Sequence, residues 1–326
     1  YGDRWVFLSQ VVASVMSDKN ITKLVIVDND SKNKNEIDEI TKEYSGRIVV
    51  LRQEKNLGSA GGFAKGIEYA RSTDCDFVFL LDDDSVPEEN SIEKFIEVLK
   101  YFPSGKVVLS GNRVNVPGNQ DFFYQPSITD VSPRGTFFQV FSWNKILHFL
   151  RLLPGLYSGG IKRGPFIPIA PTEAFVYGAA FIPIEAVREA PLPDVSLFLY
   201  GDDVEYSWGI KRLGYESYIC ASPKIYDVDL TFGDGSHIFG LFKPETLPFK
   251  VYYRIRNMVR ISVRNTRQSK PVLFINILVW ITGLFVLGFF KYGTTRTYWE
   301  RVRLILRAVY DGYNVNTKVP KEAEPL

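Results

Sequence analysis

The chain has 326 residues, 45% hydrophobic and 23% charged, with 25 glycines and 18 prolines, which excludes low-complexity, collagen-like and disordered classes and leaves length for a packed core. Cys75 and Cys220 lack CxxC spacing and make no disulfide framework, which fits a reducing compartment, and with only His148 and His237 there is no basis for chemistry needing several imidazoles. The net charge of +2 conceals segregation: Arg254 to Arg307 holds eleven Lys/Arg against one acid, Glu300, leaving 28 basic against 36 acidic residues elsewhere.

The first 110 residues alternate helix and strand patterns. Helical periodicity covers Trp5 to Met16, Lys34 to Tyr44, Gly62 to Arg71 and Ser91 to Tyr101. Between these lie apolar runs at Leu24 to Val27, Arg47 to Leu51 and Phe77 to Leu81, and another follows at Lys106 to Leu109. The alternation predicts a doubly wound, Rossmann-like α/β fold with a mostly parallel sheet flanked by helices. Such a sheet normally begins with a central strand, so a first strand and the initiating Met are expected outside this sequence. Residues 112 to 172 are irregular and aromatic-rich, with Phe122, Phe123, Tyr124, Phe137, Phe138, Trp143 and Tyr157. They read either as an insertion with its own small core or as a lid facing acceptor or lipid.

Ligands of open α/β sheets sit beyond the strand carboxyl ends. There the chain places Asp28 after the first run and Asp82-Asp83-Asp84 after the third. Three adjacent carboxylates repel one another unless a cation is shared. No basic residue lies within ten positions except Lys94 at the limit, with Arg71 one position further out, so a divalent metal, Mg2+ or Mn2+, is the expected counter-charge. The competing reading is a solvated turn with Ser85 as a helix cap. The glycine-rich run Asn56 to Gly66 opens a helix and allows close backbone approach to an anion. Lys65 in it reads equally as a phosphate partner or a surface charge. The run lacks the GK[ST] ending of an ATPase loop, which argues against phosphoryl transfer.

Asp202-Asp203-Val204-Glu205, a second carboxylate cluster, begins a further helical pattern. Carboxylates there cap a helix dipole, or one of them serves as a general base for an attacking hydroxyl.

Val272 to Phe290 is nineteen residues without a charge, about 28 Å of helix and close to bilayer thickness. Basic residues flank both ends, Arg260, Arg264, Arg267 and Lys270 before it and Lys291, Arg296, Arg301, Arg303 and Arg307 after it. That symmetry favours a segment lying along or entering one leaflet over a single span, with a buried core helix as the plain alternative. Tyr298 to Tyr310 reads as an amphipathic interfacial helix, with Trp299, Val302, Ile305 or Leu306 and Val309 opposite Arg301, Arg303 and Arg307. Nucleic-acid binding is disfavoured because the apolar run interrupts the basic charge.

Taken in order, DNDS at 28 to 31, NLGSAGGFAKG at 56 to 66, LLDDDSVPE at 80 to 88, YGAAFIPIEAV at 177 to 187 and YGDDVEYSWGIKRLGY at 200 to 215 resemble the successive motifs of family-2 inverting glycosyltransferases with the GT-A fold. The resemblance covers roughly residues 1 to 265. The AGGF, DDD and DDVE blocks, and YYRIRN at 252 to 257, are similar to the galactofuranosyltransferase and rhamnosyltransferase branch.

The resemblance implies a nucleotide-sugar-binding part at 1–110 and an acceptor-binding and catalytic part at 111–265, and the apolar run with its basic flanks predicts membrane-associating helices at 266–326. It implies donor contacts from Asp28, Asn29, Asn56, Gly61, Gly62, Lys65, Asp82 and Asp83, and metal ligation by Asp82 and Asp84. Where the family often places a ligating His, this chain reads Asp227-Val228-Asp229; Asp227 is ranked first as replacement, then Asp229 or His237 reaching back. Asp203 is implied as the base, with Asp202, Glu205 and Trp208 on the acceptor side.

The expected activity is metal-dependent, inverting transfer from a nucleotide sugar, UDP-galactofuranose first and dTDP-rhamnose second. The expected acceptor is a lipid-linked glycan of surface polysaccharide synthesis. The expected location is the cytoplasmic face of the cell membrane, reached through residues 254–310. The competing class is a catalytically silent sugar-nucleotide or glycan-binding module.

Overall fold

The computed structural model describes residues 1–116, 120, 123–124, 136–137, 141–142, 165–229, 238–266, 268–314 and 318–324. His148, His237, Arg267 and the aromatics Phe122, Phe138, Trp143 and Tyr157 lie outside them. In chain order the elements are α1 (Trp5–Ser17), β1 (Leu24–Asp28), α2 (Lys34–Glu43), β2 (Ile48–Arg52), α3 (Gly58–Ala70), β3 (Phe77–Leu80), β4 (Ser85–Pro87), α4 (Ser91–Leu99) and β5 (Val107–Arg113). There follow β6 (Thr136–Phe137), β7 (Phe141–Ser142), β8 (Ile169–Thr172), β9 (Ala180–Pro183), α5 (Ile184–Glu189), α6 (Asp202–Lys211), β10 (Glu216–Asp227), α7 (Pro248–Asn265), α8 (Lys270–Tyr292) and α9 (Arg296–Tyr313). These divide into two compact units, one of Tyr1–Ile128, Gly164–Phe198 and Asp202–Thr231, the other of Thr129–Arg163, Leu199–Gly201 and Phe232–Leu326.

In the first unit β1 and β2 pair in parallel, with Leu24 opposite Ile48 and Asp28 opposite Arg52. A second sheet has the order β3-β9-β5-β10-β4, with β8 also on β10. Only β5 and β10 run parallel in it, while β9 is antiparallel to both β3 and β5. The sheet is therefore mixed rather than mostly parallel, because β4, β8 and β9 each enter it antiparallel to their neighbours. Its core is aromatic. Phe181 stacks between Phe77 at 4.5 Å and Phe95 at 4.7 Å, with Phe79 edge-on to Phe95. Phe95 reaches this stack because Ile92 and Phe95 share the buried face of α4.

Helices α7 to α9 dominate the second unit. Gly312 lets α9 approach α7 closely: a Cβ there would lie 2.6 Å from the Val259 Cβ and 2.8 Å from the Arg256 carbonyl. The fully buried Asp311 accepts on Oδ2 from the Tyr252 hydroxyl at 2.8 Å and from Arg307 Nε at 2.9 Å, which offsets part of the cost of burying its charge.

Helix α8 buries Leu273, Asn276, Ile277, Trp280, Ile281, Leu284 and Gly288, spaced as one helical stripe, and exposes its opposite face. On α9 the sequence pattern misassigns one residue. Arg301 is buried and donates to the Thr246 carbonyl, while Trp299 on the apolar face is 48% exposed. A carbonyl partner inside the unit outweighs the charge pattern there.

Candidate functional site

The acidic residues converge within the first unit because several strand and helix ends meet there. β3 delivers Asp82 to Asp84, β10 ends at Asp227, and α6 begins at Asp202. The antiparallel pairing of β10 with β4 sets Asp227 opposite Ser85, whose hydroxyl lies 3.2 Å from the carboxylate.

Two arginines hold the cluster. Arg4, just before α1, donates Nε to Asp83 at 2.7 Å, Nη2 to Asp84 at 2.9 Å and Nη1 to Asp229 at 2.7 Å. Arg113, ending β5, donates Nη2 to Asp227 at 2.8 Å and stands 4.0 Å from Asp82. Much of the counter-charge assigned above to a metal thus comes from guanidinium groups distant in sequence. Burial works against both cations, but the surrounding carboxylates outweigh it and raise both pKa values.

Asp82 retains the weakest pairing. Its side chain is 37% accessible, yet the protein crowding it, followed by repulsion from Asp84, Asp83 and Asp203 and opposed by Arg113, pushes its pKa up to about 7. Burial and the neighbouring Asp83 raise Asp84 to about 6, against the pull of Arg4. Gly178 completes this wall, since a Cβ there would fall 2.6 Å from Asp82 Oδ2 and 2.9 Å from Ser85 Oγ.

Asp202, 2% exposed, accepts from the Ser59 hydroxyl at 3.1 and 3.0 Å, and its backbone carbonyl accepts from the Tyr177 hydroxyl at 3.2 Å. Burial and the charge of Asp203 push Asp202 up to about 8. Asp203 is also raised by burial, opposed by the Val204 N–H at 2.8 Å and by Arg113. Asp203 therefore shares its electrostatic surroundings with both Asp82 and Arg113.

The remaining candidates fall into distinct places. Asp28 is buried at the end of β1, accepting from Arg52 Nη1 at 2.9 Å and the Ser31 N–H at 2.8 Å. Asn29 stitches the glycine-rich turn together, donating to Asn56 Oδ1 at 3.1 Å and the Gly58 carbonyl at 2.9 Å and accepting from the Leu57 N–H at 2.9 Å. Gly61 abuts Leu57, where a Cβ would lie 2.4 Å from the Leu57 Cβ, while at Gly62 the nearest atom is Asn29 Nδ2 at 3.8 Å. Lys65 is exposed and pairs with Glu68 at 2.9 Å. Trp208 is buried on α6, and Glu205 lines a cavity of about 150 Å³ with Pro191, Pro193 and Arg212. A second cavity of about 150 Å³ opens beside Arg113, against Gly111, Thr172 and Phe175.

Sequence reasoning missed Arg4, Arg113, Ser59 and Tyr177. Arg113 carried one signal, as the charge ending the buried strand VVLSGNR; Arg4 carried none.

As placed, no three His, Cys, Asp or Glu side chains among the described residues converge to hold a metal. Magnesium-type sites at phosphates need only one or two carboxylates, the substrate and water supplying the other oxygens. Asp82 and Asp84, both raised in pKa by burial, fit that pattern in kind.

A mixed α/β sheet with acidic residues at its strand ends is the architecture of the GT-A glycosyltransferases, and solved structures of that class share the fold. A crystal structure of GalNAc-T7 with UDP, GalNAc and Mn2+ aligns with TM-score 0.52 and 17% identity over 79% of this chain and 45% of its own. S. aureus TarS in complex with UDP-GlcNAc aligns with TM-score 0.51 and 11% identity over 95% and 77%.

Residues 2–157, just under half of the chain, match the model of glycosyl transferase family 2. Among curated relatives, galactofuranosyltransferase GlfT1 of Mycolicibacterium smegmatis is 24% identical over 218 residues, 67% of this chain and 65% of its own length. GlfT1 of Mycobacterium tuberculosis is 22% identical over 204 residues, 60% and 57% respectively. The chain thus spans less than two thirds of the length of the relatives it matches.

Proposed function

We propose that this chain is an inverting glycosyltransferase that moves a sugar from a nucleotide-sugar donor to a lipid-linked glycan in surface polysaccharide synthesis. UDP-galactofuranose is the first donor and dTDP-rhamnose the second. The observation carrying this reading is that Asp82 and Asp203, on separate elements, share one neighbourhood with Arg113. The GlfT1 relatives support the galactofuranose choice.

In this reading residues 1–110 bind the donor, residues 111–265 complete the acceptor side, and residues 266–326 meet the membrane at its cytoplasmic face. Asp28, Asn29 and the turn at Asn56, Gly61 and Gly62 border the nucleotide sugar. Asp82 and Asp84, with Asp227 next to them, would hold Mn2+ or Mg2+, which when bound stabilises negative charge on the departing diphosphate. Arg113, a half-buried cation beside Asp82, supports the same anion.

Inverting transfer needs one carboxylate to take the acceptor hydroxyl proton during attack from the face opposite the leaving group. Asp202 is pinned by Ser59 and keeps its proton near neutrality, the more so because Asp203 is beside it. Asp203 is then the ionised member and the base. Burial raises its pKa, which makes it a stronger base than an exposed aspartate.

The test is product analysis by mass spectrometry with a panel of nucleotide sugars and a lipid-linked acceptor. Asp203→Asn should abolish transfer and keep nucleotide affinity within about twofold. Retained turnover refutes the base. A wild-type protein that binds nucleotide yet forms no product with any donor supports the silent binding module instead.

A further inference from the structure

The second unit contains the one helix among the described residues that is long and apolar enough to cross a bilayer, α8, and its neighbour α9 decides how it meets lipid. The two run antiparallel and touch near both ends. Phe274, near the start of α8, meets Tyr313 at the end of α9 with ring centroids 6.2 Å apart. At the other end the Phe285 carbonyl accepts from the Tyr298 hydroxyl at 2.9 Å. The midpoint between these contacts falls near Ile305, flanked by the exposed Arg303 and Arg307.

Were α8 to span a membrane, α9 would stand beside it in hydrocarbon. Arg303 and Arg307 would sit near the midplane with no water, and Asp311 would lie not far above or below them. The buried stripe of α8 is also covered by its own unit throughout. Trp280 meets Phe137 at 5.2 Å, and Gly288 abuts Phe242, where a Cβ would lie 2.8 Å from the ring. Only the outer face remains for lipid.

That face is apolar and rimmed with positive charge. Phe274 and Leu278 are 54% and 52% exposed, Leu287 51% and Phe290 81%. Lys270 and Lys291 end the helix, and α9 exposes Trp299, Leu306 and Tyr310 interleaved with Arg303 and Arg307. The exposed acid of this hairpin, Glu300, is paired with Arg296 at 2.8 Å. Apolar side chains alternating with long basic ones, whose heads reach the phosphates, are what an anionic lipid surface selects.

We infer that α8 and α9 form a monotopic anchor lying along one leaflet of an anionic membrane, with both ends of α8 on the same side. The inference rests on the membrane part of the function proposed above and is independent of sugar transfer.

Two measurements on the full-length protein test it. Sedimentation with vesicles should show binding to phosphatidylglycerol-containing membranes that weakens with salt, and Phe274→Gln/Leu278→Gln should lower it at least about tenfold. Both side chains are more than half exposed, so circular dichroism should be unchanged. In a Cys75→Ser background, single cysteines Ser269→Cys and Thr294→Cys flank α8. In sealed membrane vesicles an impermeant maleimide should label both before lysis, or both only after it. One flank labelled and the other protected would establish a span and overturn the anchor. Failure to bind any vesicle would overturn it too and remove the membrane part of the proposed function, while the product assay would still stand.

Discussion

Arg4 offers the sharpest test of how the acidic site is held. Its guanidinium makes three ion pairs, and the partners differ in burial: the Asp229 side chain is 3% exposed, Asp84 14% and Asp83 35%. Deleting one member of a buried pair costs about 3–5 kcal/mol because the other charge is left behind, whereas an exposed pair contributes about 0–1. Arg4 itself is 22% exposed, so solvent relieves part of the loss, and Arg4→Ala should cost about 3 kcal/mol. At roughly 2–4 °C per kcal/mol for a domain of this size, the melting midpoint should fall by about 6–12 °C. Arg4→Lys should recover less than half of that, since one ammonium cannot present three donors to three carboxylates at fixed angles. Differential scanning calorimetry at pH 7.5 and low salt measures both. A midpoint for Arg4→Ala within about 2 °C of the parent, or full recovery by lysine, would refute the claim that the fork holds the cluster.

Two further outcomes follow from named atoms. Gly58 has φ +70° and a Cβ there would fall 2.0 Å from the Phe198 carbonyl oxygen, so Gly58→Ala combines backbone strain with a clash against main chain and should lower stability by more than about 2 kcal/mol in urea titrations. Asp202 keeps its proton to about pH 8 in the folded chain but releases it near pH 4 when unfolded, so it binds more protons folded, and the stability of the parent falls as pH rises between those values. The melting midpoint of Asp202→Asn relative to the parent should therefore climb across that window and level off above it; a flat difference would show that Asp202 is ordinarily ionised.

The sequence made some features readable and hid others for physical reasons. Strands β1, β2, β3 and β5 are short β-branched or aromatic runs, and their carboxyl ends pointed to Asp28 and to Asp82 through Asp84 before any coordinates. Strand direction was not readable. An apolar run looks alike in either orientation, and the return of β8, β9 and β10 depends on turns between distant segments. The partners of the acidic cluster were hidden too. Arg4 reaches Asp83 across 79 positions, and a guanidinium that balances charge through folding leaves no local pattern. The inward turn of Arg301 had the same cause, its partner being a backbone carbonyl 55 positions away.

The turn before α6 ties two parts of the site together. Phe198 and Tyr200 hold φ of +63° and +69°, a strained conformation for such residues. The Phe198 carbonyl accepts from the Ala60 N–H at 3.1 Å, and Ser59 next to it grips Asp202. The glycine-rich helix start and the acidic helix start are thus fastened like the two leaves of a clasp. Any reshaping of residues 58 to 62 will move the acid pair at the same stroke. Under the function proposed above, donor choice and turnover would have to be redesigned jointly.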